Sequence, residues 1–456
     1  MLNRSTPLVS VAAFLFCCCP APSWLSAQDA TAVAEFSLPA TDDGLPGAGP
    51  IRRADWFQNL WRNRRSTFAS QADSHRGAVV FLGDSITQGW SDDFRGDFAD
   101  MKVANRGISG DTTRGMLIRL RQDVLDLQPS AVVMLMGTND LEEDAQPKTI
   151  ASNVGLIVGE LKKHNAEMPI VLCLVFPSSE SKHRPADKIS ELNRLLAATV
   201  KGDRRITVVD TWTLFANQQG DAKEQEFPDL LHPNRLGYEK WKNALLPIFA
   251  TLGFSETEAD NFELEPGFES LFNGKDLTGW GFRPTTEKML KGRKGWLSRD
   301  PENAPAWPIV TEPISLDGKQ VSDDGRYLAL HGRLVVTTPP EGRKIQQLWT
   351  TREFAGNFTL KLEFRATPNA DSGVFIREPQ LQCRDFLLAG PYKELKSYRP
   401  QQWNELVVTV KDTVAHCTCN GEVIEEALKV PDNGPIGLEG DRGQVEYRRI
   451  RIKPLP

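Results

Sequence analysis

Between about residues 52 and 251, short unbroken apolar runs alternate with segments of helical spacing. The runs are 78–83, 131–136, 170–176 and 206–210, all rich in Val, Ile and Leu. Uninterrupted runs of this kind are what strands covered on both faces look like. Helical patterns fill the intervals at 115–127, 149–163, 188–200 and 235–249. The alternation predicts a parallel sheet with helices on its faces, in which ligands bind beyond the carboxyl ends of the strands. From about residue 262 the pattern becomes one of short alternating strands broken by Gly, Pro, Asn and Asp, including 327–330, 333–337, 358–364, 406–411 and 445–452. That spacing predicts an antiparallel sandwich.

The remaining stretches divide the chain. Residues 1–27 have a basic start at Arg4, an apolar run from Leu8 to Cys19 and a small-residue end at Ser26-Ala27, which reads as a secretory signal peptide. A lipidated cysteine among Cys17, Cys18 and Cys19 is the alternative, but Phe14-Leu15-Phe16 lacks the small residues expected before one. Residues 28–51 read as a flexible leader, 52–251 as the first domain, 252–267 as a polar linker and 268–456 as the sandwich. No run reaches the roughly 20 apolar residues of a membrane span, so an exported protein without an integral span is expected.

Composition narrows the chemistry. In 456 residues, 54 Lys and Arg stand against 60 Asp and Glu, a formal net charge of −6, which offers no global attraction to nucleic acid. Outside the first segment only Cys173, Cys383, Cys417 and Cys419 remain, too few for a disulfide scaffold. Cys173 reads as a small core hydrophobe, and Cys417 and Cys419 share one strand face without further metal ligands in sight, so no metal is expected. The basic and aromatic stretch 52–65 reads as a helix packing Trp56, Leu60, Trp61 and Phe68 on the sheet with its arginines outward.

Four strand ends carry polar motifs. Gly83-Asp84-Ser85-Ile86 places a hydroxyl on a turn after the first strand, where Ser85 is a candidate nucleophile, although such a serine also caps helices. Among the histidines, His232 has the best-placed carboxylate: in Asp229-Leu-Leu-His232, Asp229 can accept from Nδ1 and leave Nε2 to take the Ser85 proton. Acyl transfer also needs donors aimed at the developing oxyanion. Candidates are the Gly107 N–H in Asn105-Arg-Gly107-Ile-Ser-Gly110 and the Asn139 amide in Gly137-Thr-Asn139-Asp140. Asp84 and Asp140 read as structural, and the acidic run 141–144 as a solvated face.

These four blocks, in this order, resemble the motifs of the SGNH (GDSL-type) hydrolases over about residues 52–251. The resemblance implies a flavodoxin-like α/β three-layer fold, Ser85 as nucleophile, His232 as base and Asp229 orienting it. It further implies an oxyanion hole from the Ser85 and Gly107 N–H groups and the Asn139 side chain, with no cofactor. Asn105–Thr113 is similar to the branch containing platelet-activating-factor acetylhydrolase-like subunits, which implies short acyl groups such as acetyl. Phe268 to Trp280, with 371–377, 402–405 and 434–453, resembles the 3-keto-disaccharide hydrolase domain, a concanavalin-like fold. Trp280, Trp296, Trp307 and Trp349 could stack on sugars there or pack in the core. The expectation is therefore an exported serine esterase acting on an acylated glycan; the alternative puts the main activity, 3-keto-glycoside cleavage or glycan binding, in the second domain.

Overall fold

The computed structural model describes residues 36–255, 261–302 and 304–456. The expected signal segment 1–27 lies outside these residues, as do 28–35 of the leader and 256–260 of the linker.

The first half builds the alternating layers. Strands β1 (Val79–Gly83), β2 (Val103–Gly107), β3 (Ala131–Leu135), β4 (Ile170–Cys173) and β5 (Ile206–Val209) form one parallel sheet in the order β2-β1-β3-β4-β5. β1 to β4 are almost wholly buried, as both-face coverage requires. Seven helices matter below: α1 (Asp55–Ser70), α2 (Ser85–Gln88), α3 (Thr113–Asp123), α4 (Thr138–Glu142), α5 (Pro147–His164), α6 (Ala186–Thr199) and α7 (Arg235–Leu252). One apolar cluster, including Leu120, Ile150, Val154 and Leu192, covers one face of the sheet, and an aromatic one, including Phe81, Trp90, Trp241 and Phe249, covers the other. The strand order reverses at β1, and the crevice beyond β1 and β3 is where such sheets hold ligands.

Two local expectations are corrected. On α1 the buried arc is Phe57, Trp61, Arg65 and Phe68: Trp61 and Phe68 pack as expected and Leu60 is half-buried beside them, but Phe57 takes the place expected of Trp56, which is 52 % exposed. Arg65 is not outward either: it is buried against Asp123 at 3.2 Å. The described part of the leader is not loose either. Asp42 pairs with Arg53 and Arg114, Ala48 exchanges two hydrogen bonds with the buried Asn153, and Thr112 Oγ1 donates to the Pro50 carbonyl.

The second half is antiparallel. An eight-stranded sheet, centred on Phe358–Ala366 between Asn404–Lys411 and Val445–Pro454, packs over a six-stranded sheet that contains Gln346–Thr350, Gly373–Ile376 and Ile436–Gly440. Phe358–Ala366 alternates buried and half-buried along its length, the signature of a sheet with one face in the core. Cys383, Cys417 and Cys419 are free thiols in that core. The two halves meet along a polar seam. Asn369 Nδ2 donates to Asp210 Oδ2 at 2.7 Å, the Gln444 amide donates to the Pro247 carbonyl and the Thr251 hydroxyl at 3.0 Å each, and Gly202 N–H donates to the Pro340 carbonyl at 2.8 Å.

Candidate active site

Ser85 opens the four-residue helix α2 directly after β1. Asp84 caps it by accepting the Ile86 N–H at 2.9 Å, and Tyr238 of α7 donates its hydroxyl to the Ile86 carbonyl at 2.8 Å. Gly83 is obligatory at the bend, because a Cβ there would lie 2.1 Å from Thr87 Oγ1 and 2.7 Å from the Leu135 carbonyl.

His232 comes to Ser85 from the loop before α7. Its Nε2 is 3.0 Å from Ser85 Oγ, and its Nδ1 is 2.8 Å from Asp229 Oδ2. The other Asp229 oxygen accepts the His232 and Leu231 N–H groups at 2.7 and 3.0 Å. Burial alone would raise the Asp229 carboxyl, but these three donors outweigh it and hold the group at about 2. An ionised carboxylate only accepts, so Nδ1 carries the ring proton and Nε2 is left to accept from the serine. The residues singled out as Ser85, His232 and Asp229 thus form one hydrogen-bonded line, half-buried to exposed at its open end.

The anion-stabilising side differs from expectation at one residue. The Gly107 N–H does not face the site: it donates to Asn105 Oδ1 at 2.9 Å. Gly107 is glycine for close approach, since a Cβ would lie 2.3 Å from the Gln88 nitrogen. Three residues on, Gly110 has φ of +83° and its N–H has no acceptor among the described residues. Its loop is pinned on both sides, by Ser109 N–H donating to Gln88 Oε1 at 2.7 Å and by Asn139 Nδ2 donating to the Asp111 carbonyl at 3.0 Å. Asn139 is oriented by Arg184, which donates to its Oδ1 at 3.1 Å and so leaves the second Nδ2 hydrogen for a ligand. The Ser85 N–H, first in α2, is likewise unpaired among the described residues. Both glycines are visible in the sequence; which N–H stays free depends on the Asn105 side chain, and that is a feature of the folded turn.

Beneath lies a layer of buried charge. Arg119 reaches Asp111 at 2.8 Å and also donates to the Gly83 and Arg106 carbonyls, tying the ends of β1 and β2 together. Asp140 accepts the Thr113 N–H and hydroxyl. Burial pushes Asp84 and Asp140 up to about 6 and Asp111 to about 7. The acidic run after Asn139 is not a bare solvated face: Glu142 pairs with Arg52 and Arg184, and Glu143 with Arg52.

The second domain presents a different collection. Register puts Gln347 opposite Glu439 and Trp349 opposite Gly437, on the side of the six-stranded sheet away from the core. Gly437 leaves room for the Trp349 ring, which meets Phe375 at 4.9 Å between centroids. Trp307, Trp349 and Phe375 line a hollow of about 650 Å³. Beside it Glu439 accepts from Gln347 and Gln380, and burial, aided by the neighbouring Asp441, pushes it up to about 7. Trp280 is core, and Trp296 lies against Arg299 and Arg343.

Residues 81–240 match the GDSL-like Lipase/Acylhydrolase family, and residues 267–453 match the 3-keto-alpha-glucoside-1,2-lyase-like domain. The chain joins a GDSL-like acylhydrolase domain to a 3-keto-disaccharide hydrolase-type domain. Its GDSL domain is 27 % identical over 202 residues to human platelet-activating factor acetylhydrolase IB subunit alpha2, covering 43 % of this chain and 87 % of the relative. The alpha1 subunit of Rattus norvegicus is 28 % identical over 195 residues, covering 42 % and 83 %. Among solved structures, a GDSL-like lipase of Bacteroides thetaiotaomicron aligns at 26 % identity and a TM-score of 0.36, covering 39 % of this chain and 93 % of the other. These matches support an ester-hydrolase role for the GDSL domain. Among the described residues no helix is long and apolar enough to cross a membrane.

Proposed function

We propose that the GDSL domain removes short acyl groups, acetyl foremost, from carbohydrate by a serine acyl-enzyme mechanism. The observation that carries the mechanism is the line Asp229–His232–Ser85, with Nε2 3.0 Å from the serine oxygen. Ser85 attacks the ester carbonyl as His232 takes its proton; the imidazolium, held by Asp229, then protonates the departing alcohol. Water repeats the sequence and releases the acid. The oxyanion rests on the Ser85 and Gly110 N–H groups and the Asn139 amide, donors fixed before substrate arrives. The short acyl group is supported by the relatives' designation as acetylhydrolases, the glycan by the domain that follows, and export by residues 1–27.

Hydrolysis of ethyl acetate and acetylated xylan by the full chain tests this, with Ser85→Ala and His232→Ala beside the wild type. Each substitution should lower kcat by about 10⁴-fold or more. Retained turnover in both variants would refute the mechanism.

A second reading has its own support in Glu439. A carboxyl titrating near neutrality, set beside an aromatic hollow, is suited to give and take a proton on a bound sugar. On this reading the sandwich binds glycan or cleaves 3-keto-glycosides itself, and conversion of a 3-keto-disaccharide that survives Ser85→Ala would establish it.

A further inference from the structure

Helix α1 brings to the Gly110 loop an aromatic side chain that the core does not use. Trp56 is 52 % exposed while Phe57 beside it is buried. The indole edge lies against Gly110: a Cβ on that glycine would sit 2.6 Å from Trp56 Cη2. Gly110 carries one of the free N–H groups assigned to the oxyanion, so the ring packs against the residue that bears a proposed donor.

The indole is also tied, through three side chains, to the Asn139 donor. Arg52 stands 5.7 Å from its ring centroid and pairs with Glu142 and Glu143 at 2.7 Å. Glu142 in turn holds Arg184 at 2.8 Å, and Arg184 orients Asn139. One run of contacts thus leads from Trp56 to Asn139, and it keeps a large apolar ring in water at a defined place.

We propose that Trp56 is a stacking platform for the sugar ring that bears the ester, a subsite that rests on the esterase reading. A long acyl chain would need a continuous apolar wall. Here the ring meets Phe57 edge to face at 5.7 Å between centroids, Arg52 and the backbone of Gly110, with Glu142 and Glu143 held beyond Arg52. A pyranose suits that setting: its C–H face lies on the indole, and its hydroxyls reach the charged rim. The platform holds the substrate in ground state and transition state alike, so it acts on KM more than on kcat.

The test compares an acetylated methyl pyranoside with ethyl acetate, whose alcohol has no ring, using the full-length protein in a pH-stat. Trp56→Ala should raise KM for the sugar ester by about ten-fold with kcat held within about two-fold, and the sugar-to-ethyl ratio of kcat/KM should fall by about ten-fold. Trp56→Phe, which keeps an aromatic face, should recover part of the loss. Equal losses on both esters, or an unchanged KM for the sugar ester, would overturn the proposal, the first because Trp56 would then merely support the Gly110 loop. A wild type that cleaves neither ester would count against the esterase reading alone; the platform is then read by calorimetric titration of the acetylated pyranoside. Weaker binding to Trp56→Ala than to wild type upholds it, and equal or no binding to both overturns it.

Discussion

The ester site and the Glu439 face assemble their chemistry in opposite ways. In the GDSL domain the candidate groups stand just beyond strand ends and in one loop, at residues 85, 110, 139, 229 and 232; local backbone places Ser85 through the Asp84 cap and Gly110 through its left-handed φ, while Asn139 is held by the more distant Arg184 and Asp111. In the sandwich, Gln347, Trp349, Phe375, Gln380 and Glu439 lie within strands, and only cross-strand register makes them neighbours. A strand-end site is therefore written in short motifs, whereas a sheet-face site is written in pairings between residues some 90 positions apart, such as Gln347 and Glu439.

The contrast can be pressed hardest at Gly110. Alanine there meets both a φ of +83° and the Trp56 ring, so Gly110→Ala should cost about 10²- to 10³-fold in ester kcat, measured beside an unchanged far-ultraviolet circular dichroism spectrum. A loss below about three-fold would remove the Gly110 N–H from the oxyanion site.

Next in size is the sheet face. Trp349→Ala should weaken glycan binding by about ten-fold, read by calorimetry. Combined with His232→Ala, the two effects on stability should add to within about 0.5 kcal/mol, because the sites share no side chain. Larger coupling would mean that the two regions are one site.

The smallest effect concerns the buried layer. Asp84 titrates at about 6 in the folded chain against an ordinary value of 3.8, so the folded state binds the extra proton between those values. Its contribution to stability is therefore best below about pH 4, declines as pH rises toward 6 and stays low above. Asp84→Asn removes this decline, and its Tm relative to wild type should improve by about 3 °C or more between pH 4 and 7. A constant Tm difference across that range would assign the slope to Asp111 and Asp140 instead.

Much of this architecture was legible beforehand, for physical reasons. Strands buried on both faces leave unbroken apolar runs, and β1, β3, β4 and β5 begin within a residue of the expected positions. The joining of Ser85, His232 and Asp229 was legible because Ser85 follows β1 at a tight turn and Asp229 and His232 are three positions apart. The Gly107 and Trp56 expectations failed where a polar partner decides the outcome. Asn105 Oδ1 takes up one N–H and leaves another free, and Asp123 draws Arg65 into the buried arc of α1 beside Phe57, Trp61 and Phe68. Hydrophobic periodicity carries no information about either partner. The Glu439 face was legible only in part: Trp307 and Trp349 stood out as candidates for stacking on sugar, but nothing local distinguishes them from a core tryptophan such as Trp280 or joins them to Glu439.

The seam between the halves bears on how the molecule could be taken apart. Asn369, Gln444 and Gly202 make their contacts across it through hydrogen bonds, with donors and acceptors that water can replace. Separating the halves between 252 and 267 would exchange those bonds for solvent and would uncover Leu388, the second half's apolar contact with the aromatic core of the first. What such a cut would erase is alignment: two tools on one handle would become two loose tools, and only a substrate long enough to touch both would register the difference.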